Sequence, residues 1–155
     1  MPSTPTDTDP KSWHRFFAIE CNNRAWDLAA RARDPHESFE MLNAAHGAAW
    51  HWAQVGTELN QQRAKMLLAR VHTLLGFGPS ALSLASEVRS YFVGRETPAW
   101  ELAFAHAIYA HAAHVSGNPD AHRSAYQEAL DAAALIAKEE DRKVFHETFV
   151  LIPAP

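Results

Sequence analysis

Four prolines stand directly after residues suited to close one helix or cap the next: Asp34-Pro35, Gly78-Pro79, Thr97-Pro98 and Asn118-Pro119. Proline has no N–H to donate, but at the first helical position that N–H would have no partner anyway. The pairs therefore mark helix starts, and they divide the chain into helices joined by short links. Asp34 with Glu37 adds the pattern of a capping box, and Thr57 precedes another start. The residues between these marks suit helix. The chain has 29 Ala against 11 Val plus Ile, and Ala loses no side-chain entropy in a helix where β-branched residues do. Seven helices are predicted, near 12–32, 35–55, 58–75, 79–93, 98–116, 119–138 and 141–149. Residues 1–11 read as a flexible Pro/Thr-rich tail and 12–155 as one domain, the size a 155-residue chain supports.

Charge and composition exclude several functions. A net charge of −4 and a pI near 6.2 leave no basic excess for nucleic-acid phosphates or acidic membrane. No apolar run approaches the roughly 20 residues that span a bilayer, because His46, His51, His106, His111 and His114 interrupt each Ala-rich stretch. The first residues hold no apolar stretch for a signal peptide, so the expected setting is cytoplasmic. A single cysteine, Cys21, rules out an internal disulfide and a Cys-rich zinc site.

The starts repeat. Pro35, Pro79 and Pro119 open the second, fourth and sixth helices at separations of 44 and 40 residues, and superposing them aligns Ala45 with Ala129 and Ala81 with Ala121. Helical hairpins recurring at this length are the signature of an α-solenoid, in which each unit buries its apolar face against its neighbours. The stretch AHAAHVSGNPDAHRSAYQEALDAA places Ala110 at a small-residue site, Gly117-Asn118 at a turn, and Tyr126, Ala129 and Leu130 on the returning helix. Leu68-Ala69, Gly76 and Ala81 follow a weaker version. These residues resemble the tetratricopeptide (TPR) family across about 12–138, although Trp26 stands where that family prefers a small residue. The resemblance implies an all-α, TPR-like right-handed stack of three hairpins plus a C-terminal capping helix. It further implies a concave groove lined by the first helix of each hairpin, which binds a protein or peptide. Carried over by position, the groove would present Glu20, Asn23 and Asp27, then Arg63, Met66 and Arg70, then Phe104, His111 and His114.

Helical spacing supports part of that set independently. Arg63, Met66, Leu67, Arg70, Val71 and Leu74 share one stripe of the third helix. A guanidinium on an apolar stripe must pair with a carboxylate or lie at a groove edge. Glu20, Asp27 or Glu40 would serve as internal partners; otherwise Arg63 and Arg70 would read an anionic group on a ligand. His111 and His114 are three residues apart on the fifth helix, beside the face formed by Trp100, Phe104 and Ile108. Two histidines do not complete a metal site, no HExxH motif is present, and neither metal nor cofactor is expected. The second helix carries HGAAWHW, with apolar residues on two faces, which points to a central, buried helix or, as the alternative, to a ligand pocket or dimer surface. Asn23 falls between Phe16, Ile19 and Trp26, where a buried amide would need partners.

No phosphate loop, nucleophile elbow or recognisable Cys–His pair is present. The leading expectation is a non-catalytic protein- or peptide-binding module using Arg63 and Arg70, with Asn23, His111 and His114 as further polar contacts. The alternative is a small-molecule or metal-binding helical domain, with catalysis left open, around His46, Trp50, Asn23 and Arg63. Self-association into a homodimer through exposed Trp and Ala faces is a third reading.

Overall fold

The computed structural model describes residues 3–6 and 8–155; of the expected N-terminal tail, residues 1, 2 and 7 lie outside the described residues. Seven helices and no strand occur among the described residues: α1 (Pro10–Ala29), α2 (Pro35–Val55), α3 (Glu58–Leu74), α4 (Gly78–Val93), α5 (Ala99–Val115), α6 (Pro119–Ala134) and α7 (Glu139–Phe149). The fold is all-α.

The local signals act largely where the sequence places them. Both capping boxes form: the Asp34 carboxylate accepts from Glu37 N at 2.8 Å, and Thr57 Oγ1 accepts from Asn60 N at 3.3 Å. The turns closing α3–α4 and α5–α6 are alike. Gly76 and Gly117 have φ of 77° and 72°, the left-handed conformation that glycine adopts without a Cβ penalty. Gly76 N donates to Thr73 O at 3.0 Å and Phe77 N to His72 O at 2.9 Å. Gly117 N and Asn118 N repeat this onto His114 O and Ala113 O at 3.0 and 2.9 Å. The α1–α2 link has no such glycine and closes through Ala30 N on Asp27 O.

Several boundaries shift by about one to four residues from the expected ones, Pro98 standing at the N-cap of α5 and not inside it; two of the shifts have a visible cause. α1 begins at Pro10, inside the expected tail, because Asp9 caps it by accepting from Lys11 N at 3.0 Å. α6 stops at Ala134 although the Ala-rich pattern continues. There Ile136 turns inward to 3% exposure, and Arg142 Nη1 donates to its carbonyl at 2.7 Å.

Each of the first five helices packs on the next in sequence, and the odd-numbered helices also pack on one another: α1 on α3, α3 on α5, α5 on α7. One core joins Met66 and Ala69 of α3 to α4, α5, α6 and α7; a second joins α1, α2 and α3 around Leu28, Met41, Leu67 and Val71. The central helix is α5, not α2. Its alanines 103, 105, 107, 110, 112 and 113 are buried on all sides, since small side chains admit neighbouring backbones closely. α2 buries only Met41, Ala45 and Ala48 among its described residues and leaves Trp50 57% exposed. No helix is long and apolar enough to cross a membrane.

Candidate functional site

A cleft of about 400 Å³ opens where α1, α3, α5 and α7 converge. Its apolar wall comes from Trp26, Met66, Trp100 and Phe104, one or two from each of α1, α3 and α5. Phe104 and Met66 are buried and form its floor. Both indoles stand edge-on to Phe104, with centroids 6.1 Å away for Trp26 and 6.4 Å for Trp100, a favourable quadrupole arrangement. Phe145 of α7 closes the far side of Phe104 at 5.5 Å. Asn22, Asp141 and Val144 complete the rim.

Arg63 is the cation of this cleft. Its Nε donates to Glu101 Oε1 at 2.6 Å, and its guanidinium carbon lies 5.5 Å from the Trp100 ring centroid. Nη1 and Nη2 make no hydrogen bond among the described residues, and the side chain is half exposed. Glu101, by contrast, is only 3% exposed. It lies in the first turn of α5, where the helix dipole favours a carboxylate. The ion pair thus fixes the guanidinium by one edge and leaves the other toward the cleft.

Arg70, one stripe position along, is not in the open cleft. It is 4% exposed and sealed beneath α7, where it donates to the Thr148 hydroxyl and to Ala29 O, the latter at 3.4 Å. Its guanidinium lies 4.7 Å over Trp26. Burial, and then Arg33 nearby, pull its pKa down to about 10. No carboxylate pairs with it among the described residues, so neither of the alternatives that spacing allowed, ion pair or groove edge, describes it.

The remaining expected residues are scattered, with Asn23, His46, Trp50 and His114 at the surface and His111 further in. Asn23 is exposed; the half-buried amide facing Trp26 is Asn22, which donates to Asn23 Oδ1 at 3.4 Å. His111 shares an inner cavity with Arg70, and burial, followed by His114, Arg70 and His122, holds its pKa down to about 4. His114 is exposed and packs its ring on His122 at 5.0 Å. His46 is exposed against His72 at 3.5 Å, and Trp50 packs on His14 and His51 at 5.2 and 4.8 Å. His46, Trp50, Asn23 and Arg63 therefore share no cavity among the described residues. No group of three or more His, Cys, Asp or Glu able to hold a metal occurs among the described residues.

Spacing places Arg63, Met66 and Phe104 on the expected groove faces, and the structure joins them in one cleft. The other half of the ion pair, Glu101, carries no signal in the sequence, since its 38-residue separation from Arg63 leaves no local pattern. Trp26 stands out there only as a departure from a small-residue site. No family model, no curated protein and no solved structure matches this chain.

Proposed function

We propose that this chain is a non-catalytic binding module for a protein or peptide. One apolar side chain of the partner would lie between Trp26, Met66, Trp100 and Phe104, and a neighbouring carboxylate would take the free edge of Arg63. The observation that carries this reading is the cleft itself. Its volume of about 400 Å³ falls within the range of ligand sites, and such sites combine mostly apolar walls with a few convergent polar groups. Aromatic anchors beside an arginine are also the residue types that dominate binding hot spots.

In the same reading the hairpins form a TPR-like stack, capped by α7, with the odd-numbered helices on the ligand side. Two features support it. The odd-numbered helices pack on one another while no even-numbered pair packs substantially among the described residues. The α3–α4 and α5–α6 turns share the same two hydrogen bonds around Gly76 and Gly117. A cytoplasmic setting, with Cys21 as a free thiol, belongs to this proposal.

The test is a random peptide library panned against the wild-type chain, Trp100→Ala and Arg63→Met. Enriched peptides should carry a large apolar residue next to an acidic one, lose binding on Trp100→Ala, and weaken about tenfold on Arg63→Met, the worth of one charge-assisted bond. Enrichment indifferent to both substitutions would refute the assignment.

A further inference from the structure

The fold leaves two buried cationic nitrogens without partners close to the end of α1. Arg70 Nε is buried with no hydrogen-bond partner, and so is Arg33 Nε. Arg33 Nη1 donates to Leu28 O at 2.7 Å, and Arg70 Nη2 donates to Ala29 O. Both guanidinium groups thus converge on the C-terminal carbonyls of α1. That helix end supplies roughly half a negative charge, too little to balance two full cations. Every carboxylate that pairs with an arginine among the described residues does so elsewhere.

Beside Arg70 lies a cavity of about 10 Å³, the room one water-sized particle needs. Its polar wall is Arg70, Thr148, His111 and Thr73; the rest is aliphatic. Thr73 Oγ1 already donates its proton to Ala69 O at 2.8 Å. The Thr148 hydroxyl accepts from Arg70, so its own proton is free. Three residues able to donate therefore line the space, namely Arg70, Thr148 and His111, and no carboxylate lines it. We propose that this cavity binds one monoatomic, halide-sized anion, with chloride as the occupant, held by Arg70, Thr148 and His111. Phosphate and sulfate are too large for it. The ion offsets the uncompensated guanidinium and ties α7, which carries Thr148, to α3 and α5.

Uptake is coupled to a proton. The groups facing His111 are Arg70 from α3, His114 from its own helix and His122 from α6; α7 and the chain after it bring only Thr148 and aliphatic side chains. Burial first, and then these neighbours, lower the pKa of the ring, and an anion between it and Arg70 opposes their effect. Chloride therefore binds more tightly as pH falls toward 4.

The experiment titrates chloride against gluconate at constant ionic strength into the full chain and follows thermal unfolding by circular dichroism at pH 7 and 5.5. A saturable rise on the order of several degrees is expected, reached at lower chloride at pH 5.5. Bromide soaked into crystals should give an anomalous peak between Arg70 and Thr148. Thr148→Val should weaken the chloride response about tenfold, and His111→Gln should keep the response but remove its pH dependence. A melting temperature blind to chloride, a cavity holding water but no bromide, or an unchanged response in Thr148→Val would each overturn the site. The first two readings use the wild-type chain and stand even if a variant does not fold.

Discussion

The Arg63–Glu101 pair allows a test with a built-in asymmetry. Glu101 keeps 4% of its side-chain exposure and Arg63 keeps 44%. Removing the arginine strands a buried carboxylate, a change that costs about 3–5 kcal/mol when no water can reach the orphan. Here the space left by Arg63 opens to solvent, so Arg63→Met should cost less, about 2–3 kcal/mol. That figure includes the small cation–π contact with Trp100. Removing the glutamate instead frees a half-exposed guanidinium, which simply turns to water. Glu101→Leu then loses mainly the helix-dipole contribution of an acid in the first turn of α5, about 0.3–1 kcal/mol. In the double variant nothing buried is left unpaired, so its cost should stay near 1 kcal/mol, leaving a coupling of about 2 kcal/mol. Urea unfolding followed by far-ultraviolet circular dichroism gives all three values. In a chain of this length Arg63→Met should lower the melting temperature by about 5–10 °C and Glu101→Leu by less than half of that. Equal costs for the two single variants, or strict additivity in the double, would show that burial at Glu101 does not govern the energetics of the pair.

Other perturbations have outcomes set by the same structure. Phe92 is among the largest fully buried side chains, and Phe92→Ala should cost about 3–5 kcal/mol in the same urea assay. Asp34→Ala and Thr57→Ala each remove a capping box; each should cost about 1 kcal/mol, and they should add, because they act near opposite ends of α2. Gly117→Ala places a Cβ at a φ of 72° and should lower stability by about 1–2 kcal/mol, although nothing crowds the site. The His111 ring, held near 4 when folded against 6.5 when free, binds its proton more readily in the unfolded chain. Stability in chloride-free buffer should therefore be complete above pH 6.5 and fall, by on the order of 3 kcal/mol, as pH drops from 6.5 to 4. His111→Gln should flatten that limb of the urea midpoint against pH.

The helix starts were legible because their signals are local. Asp34-Pro35 and Asn118-Pro119 cap α2 and α6 with the side chains of Asp34 and Asn118 themselves. Asp9-Pro10 carries the same signature as Asp34-Pro35, and it was obscured only by the Pro/Thr-rich composition around it. The end of α6 had no such signal: the turn depends on Arg142, from the next helix, capping Ile136 and Ala137. The pattern in α2 points to the wrong centre of the fold for a physical reason. Large aromatic side chains there suggest a core, yet Trp50 stays at the surface against His14 and His51, and Phe39 is 65% exposed. Alanine density in α5 is the better guide, since close helix approach requires small side chains on every face.

What the sequence could not separate is the fate of two arginines on one stripe. Arg63 and Arg70 stand seven residues apart, about 10 Å along the axis of α3, and nothing in α3 distinguishes them. The distinction is made by α7. Asp141 and Val144 border the cleft of Arg63, while Thr148, one turn beyond Val144, closes over Arg70. Phe145 and Phe149, stacked 5.1 Å apart, hold the helix down between these two positions. One short helix thus separates the open cleft beside Arg63 from the cavity beside Arg70. Occupancy of the cavity can reach the cleft through the seating of α7 and through Arg70, whose guanidinium lies over Trp26. Thr148→Val, which leaves both phenylalanines and the cleft walls in place, separates the two. Peptide capture that stays constant in that variant while its chloride response weakens would mean that the aromatic packing alone positions α7. Peptide capture that weakens together with the chloride response would mean that the ion helps to hold α7 over the cleft.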